Sequence, residues 1–137
     1  MAALKKTLVF VFIVFMGLAA LATAQKQAYR AEKGPEGVQR AEITGGSYFF
    51  KPRHIILKVN VPAEFTLKKE RTLTPHAFVV KAPEAGMDIK VKLGTEPKKI
   101  SFTPTKTGKY EFYCDEKLLF FPSHRKQGMK GMLEVTE

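Results

Sequence analysis

From Ile43 onward, apolar side chains recur two residues apart in short runs: Ile55, Leu57 and Val59; Phe65 and Leu67; Phe78 and Val80; Ile89, Val91 and Leu93; Ile100 and Phe102. Successive side chains of a strand point to opposite faces, so each set predicts one inward face with polar residues between its members. Pro, Gly and Lys punctuate the runs, and no stretch sustains the helical period of 3.6. Tyr110, Phe112 and Cys114 continue the pattern, as do Gly131, Leu133 and Val135 on what reads as the last strand. The expectation is an all-β sandwich or barrel over residues 43–137, with Cys114 ending an inward-facing row.

The first 42 residues read differently. Lys5 and Lys6 precede an apolar run from Thr7 to Leu21, and Ala22-Thr23-Ala24 offers small residues for cleavage before Gln25. This is the pattern of a removable export signal, residues 1–24, and the run is shorter than the roughly 20 residues that span a bilayer. Stable membrane insertion after cleavage is not expected, and the product belongs in the periplasm or outside the cell. Residues 25–42 are polar, carry Gly34-Pro35 and Gly37, and read as a flexible tether.

Without the signal, 21 basic side chains stand against 13 acidic ones, a formal charge of +8. Such a field steers acidic partners or anionic surfaces. Nucleic acid is excluded as a partner because the lysines are scattered along strand-like segments, no recognition motif is present and the chain carries an export signal.

Charge does not explain the single cysteine. In an oxidising compartment Cys114 has no intramolecular partner, and an exposed lone thiol there is a liability. Ten residues after it, with nine between, stands His124, and five further on Met129. His76, in Thr74-Pro75-His76-Ala77-Phe78, sits at the mouth of a strand whose Phe78 and Val80 face inward. Thiolate, two imidazoles and a weak axial thioether make the ligand set of a trigonal blue-copper site. Met132 has the opposite strand parity to Leu133 and should point away; Met87 reads as packing, and His54 as a surface residue.

Pro75-His76 followed by Phe78-Val79-Val80, Tyr110-x-Phe112-Tyr113-Cys114, and His124-x4-Met129-x-Gly131 together resemble the plastocyanin and azurin family of cupredoxins. Tyr48-Phe49-Phe50-Lys51-Pro52 before Ile55-x-Leu57-x-Val59 is similar to the opening strands of its bacterial members. The resemblance implies a Greek-key β-sandwich, one copper ion held by His76, Cys114, His124 and Met129, and one-electron transfer with a redox partner such as a cytochrome or a copper oxidase or reductase bearing an acidic docking surface.

Two departures stand out. The family usually places two to four residues between the Cys and the second His, whereas Asp115 to Ser123 make nine; Ala77 and Asp115 replace residue types whose hydrogen bonds tune the sulfur. The long loop carries Leu118-Leu119-Phe120-Phe121, which either fold back as a cap over the core or form an exposed docking patch. A loop of this length also leaves room for an opened, red or green copper centre. A carrier is therefore weighed against a copper-handling protein and against an enzyme that binds a small molecule at the metal.

Overall fold

The computed structural model describes residues 27–137, so the expected signal lies outside the described residues. Two sheets face each other, and among the described residues the only helical element is a 3-10 turn, Pro83–Ala85. The strands are β1 (Tyr29–Arg30), β2 (Glu32–Lys33), β3 (Gln39–Gly46), β4 (Phe49–Lys51), β5 (His54–Lys58), β6 (Ala63–Lys69), β7 (Ala77–Ala82), β8 (Met87–Lys92), β9 (Lys98–Phe102), β10 (Gly108–Tyr113) and β11 (Lys130–Thr136). One sheet runs β1-β5-β11-β10-β7-β8, the other β2-β3-β6-β9 with β4 paired to β3. β5 lies parallel to β11 and β3 parallel to β6, so the chain crosses between sheets rather than folding only as hairpins.

The period-two rows meet between the sheets. Ile55, Leu57, Phe65, Leu67, Phe78, Val80, Phe112 and Leu133 are all buried. Their aromatic members interlock edge to face: Phe50 on Phe112 at 5.3 Å, Phe50 on Phe78 at 5.9 Å and Phe65 on Phe102 at 4.9 Å between ring centroids. Such pairs add to plain area burial. β7 departs from alternation because it lies between β8 and β10, and Ala77 and Val79 on its second face are buried too.

The segment expected as a tether, residues 25–42, carries strands among its described residues. β1 and β2 lengthen the edges of the two sheets, and β3 begins at Gln39. Gln39 is buried, with its amide fully used: Nε2 donates to the carbonyls of Lys58 and Val61, both at 2.9 Å, and Oε1 accepts from the Lys58 amide at 2.8 Å. The side chain therefore clips the start of β3 to the β5–β6 turn. A buried amide is tolerated only when paired in this way.

Candidate metal centre

At one end of the sandwich, three loops converge. His76 stands just before β7, Cys114 just after β10, and the segment from Cys114 to Met129 returns to β11. β7 and β10 are paired, Tyr113 opposite Val79, which brings the start of one beside the end of the other. His76 and Cys114 thus meet because neighbouring antiparallel strands begin and end at the same edge.

The donor atoms are close. His76 Nδ1 lies 3.2 Å from His124 Nδ1, and Cys114 Sγ lies 3.4 Å from His124 Nδ1 and 4.0 Å from His76 Nδ1. A point equidistant from the corners of that triangle is about 2.1 Å from each, the length of a metal–imidazole bond and slightly short of a metal–thiolate bond. Met129 is fully buried beside them, its amide bonded to the His124 carbonyl at 2.9 Å and its carbonyl to the Cys114 amide at 3.0 Å. A Cβ at Gly45 would stand 2.8 Å from Leu93 Cδ1 and 3.2 Å from Met129 Cε, so glycine leaves room for the thioether end.

The remaining ring nitrogens, Nε2 of His76 and of His124, are buried without a hydrogen-bond partner. Leaving a buried polar group unpaired costs about 1–3 kcal/mol. Orientation of both Nδ1 atoms toward the sulfur is bought with that loss, as expected of rings placed to ligate rather than to stabilise. Burial, the nearby His124 and Lys69 together lower His76 to about 4, and burial also lowers His124. Neutral imidazoles are the form that binds a metal.

Burial pushes the Cys114 thiol up, while backbone amides of Ala77 and Glu116 pull it back. The Ala77 N–H donates to Sγ at 3.3 Å, so the replaced side chain at position 77 does not empty the sulfur's surroundings: the main chain supplies the bond. Asp115 turns outward to Lys90 in an exposed ion pair.

The nine-residue gap turns out to be closed at its base. The His124 amide donates to the Glu116 carbonyl at 2.9 Å, and the Arg125 amide to the Cys114 carbonyl at 3.0 Å. Lys117 to Ser123 are thus an excursion from an otherwise compact ligand loop, and its length need not loosen the ligands. Leu118 to Phe121 do not cap the core. They are 43%, 76%, 99% and 60% exposed, around a turn closed by the Phe121 amide on the Leu118 carbonyl.

Of the other residues singled out in the sequence, Met87 is core, Met132 points outward, and His54 pairs through Nε2 with Glu134 Oε2 at 2.7 Å on the outer sheet face. Sequence reading missed Tyr48. Its backbone is left-handed, φ 62°, and its ring meets His124 edge-on at 5.0 Å while remaining 38% exposed. His124 itself has no solvent contact. No periodic signal distinguishes such a residue.

The depressed His76 value carries a pH dependence. The unfolded chain takes up a proton near 6.5, the folded one only near 4, so the unfolded state binds more protons as pH falls between these values. Metal-free protein should keep its full stability above about pH 6.5 and lose on the order of 2–3 kcal/mol by about pH 4. Urea titrations across that range check this; a His76→Phe variant with an equally steep loss would refute the assignment to His76.

Residues 9–133 match the family model described as a cupredoxin-like domain. Among solved structures, the metal-binding domain of the Cu(I)-exporting P-type ATPase CopA of Streptococcus pneumoniae is 24% identical, over 83% of this chain and all of that one, with a TM-score of 0.63. Auracyanin A, a blue copper protein of Chloroflexus aurantiacus, is 17% identical over 73% of this chain and all of its own, TM-score 0.55. The periplasmic domain of cytochrome oxidase subunit II of Bradyrhizobium japonicum is 16% identical over 72% and 83%, TM-score 0.55. Among curated proteins, none matches.

Proposed function

Since the chain belongs to the cupredoxin-like domain family, we propose that it is an exported one-electron carrier whose single copper ion is held by His76, Cys114, His124 and Met129. The observation that carries this reading is the prearranged, buried donor set: two Nδ1 atoms and Sγ within 4.0 Å of one another, with all four side chains at 0–1% exposure. Copper when bound supplies a centre that alternates between two oxidation states. The protein's part is to keep its donors where they are through that change.

Several features serve rigidity. His76 and Cys114 are fixed at the ends of paired strands, and main-chain bonds tie Cys114 to Met129 and Met129 to His124. The Ala77 amide holds the sulfur. Burial of all four side chains favours a carrier over binding of a small molecule, and His76 and Cys114 fixed at the ends of paired strands favour retention over copper delivery.

A route from the site to solvent leads through Tyr48, which touches His124 and is partly exposed. The basic surface suits a redox partner with an acidic docking face. Export to the periplasm or beyond belongs to the same reading, supported by the apolar segment with its small-residue cleavage pattern and by the likeness to a periplasmic oxidase domain.

Copper(II)-loaded protein should give an intense visible band near 600 nm with narrow hyperfine splitting, a sign of a trigonal thiolate site, and should cycle reversibly on an electrode. A weak band with wide splitting, or irreversible reduction with release of copper, would overturn the carrier reading.

A further inference from the structure

The apolar surface of this protein is gathered at the metal end. Tyr48 in the β3–β4 turn, Leu73 three residues before His76, and Leu118 to Phe121 in the excursion account for six of the eight large apolar side chains exposed among the described residues. Leu73 and Phe120 are fully exposed, at 105% and 99%. Exposed clusters of this kind mark interaction sites.

The shape of the cluster narrows the occupant. Leu118 to Phe121 turn tightly, with Leu119 in the left-handed region at φ 48°, so four successive side chains radiate from a tip rather than lining one face. A flat protein surface would meet only one side of such a tip. An apolar medium can surround it.

Charge points the same way. Lys117 opens the excursion, Lys126 follows it and Arg71 flanks Leu73; all three are exposed, and none is in an ion pair among the described residues. Of the acids nearby, Asp115 is paired with Lys90 and Glu111 with Arg125, while Glu70 and Glu116 are in no ion pair among the described residues, so the free cations outnumber the free acids three to two. An apolar tip beside free cations, on a basic protein, is the arrangement that binds anionic lipid surfaces peripherally.

We propose that the Lys117–Ser123 excursion, with Leu73 of the loop that leads to His76, inserts peripherally into an anionic lipid bilayer and holds the metal end of the protein against the membrane. The base of the excursion is closed at Glu116 and His124, so insertion of the tip need not disturb the ligands. The assignment does not depend on electron transfer, because binding requires no copper.

The test is sedimentation with lipid vesicles, using the chain from Gln25 onward; the buried core runs from Ala41 to Val135 with Ala31 packed against it, so this unit contains all of it, and the apolar segment before it cannot contribute. Metal-free protein should bind phosphatidylglycerol-containing vesicles at low salt and bind phosphatidylcholine vesicles much less. The pair L119S/F120S and the pair K117E/K126E should each weaken binding at least about tenfold, with unchanged thermal unfolding, and added salt should weaken it further. Wild-type protein that fails to sediment with the anionic vesicles overturns the proposal. So does binding that both variant pairs retain. If instead the wild type ignores vesicles while L119S/F120S slows electron exchange with a protein acceptor, or abolishes a concentration-dependent dimer, the tip is a protein-docking surface and the membrane assignment falls.

Discussion

Cys114→Ala is expected to abolish the intense visible absorption of the copper(II)-loaded protein and to weaken copper binding by orders of magnitude in competition with a chelator. The thiolate is the donor that sets a blue site apart from ordinary copper–imidazole binding. Removing it also strands the Ala77 amide, which donates to Sγ in the buried site, so the metal-free variant should lose about 1–3 kcal/mol of stability. Circular dichroism would separate the two effects, since the variant should remain folded. A folded variant that keeps the band would exclude Cys114 as the thiolate donor and remove the basis of the proposed site.

The second large effect lies away from the metal. A Cβ at Gly131 would stand 2.2 Å from Phe112 Cζ and 2.5 Å from the Arg53 carbonyl oxygen. The ring belongs to the aromatic core, and the carbonyl already accepts the Met132 amide at 2.8 Å, so neither yields easily. Gly131→Ala should therefore destabilise the fold by on the order of 3 kcal/mol or more, measured by denaturant titration of the metal-free protein. A loss under about 0.5 kcal/mol, the range of ordinary surface substitutions, would show that β10 and β11 can shift apart and that the close approach is not a constraint.

Why Gly131 stands on an inward-facing row could be suspected from parity; why it must be glycine could not. The same boundary runs through the whole fold. Strands with large apolar residues two apart, such as β5, β6 and the inward row of β7, are legible because burying alternate side chains leaves a pattern in the sequence. β3 is not, because Gln39 and Ala41 on its inner row are one polar and one small, and the burial of Gln39 depends on carbonyls of Lys58 and Val61 about twenty residues away. That is how a strand came to read as a tether.

His76, Cys114 and His124, which the structure brings together, were legible for a different reason. Cys and His are rare here and chemically distinct, and the placement of His76 and Cys114 at strand ends follows from parity. What parity leaves out is the main chain: the Ala77 amide on the sulfur and the Glu116–His124 bond use groups that every residue has, so no side chain announces them. Tyr48 against His124 is likewise a product of how the β3–β4 turn folds back over the site.

The bond that closes the excursion at Glu116 and His124 divides the segment into two parts with separate tolerances. On one side of it lie Cys114, His124 and Met129, tied to one another by main-chain bonds; on the other lie the seven residues Lys117 to Ser123, which the closing bond separates from them. The exposed tip and the geometry of the buried His-Cys-His cluster are thereby held by different stretches of one segment, and on the proposed reading a new tip would alter the first without the second.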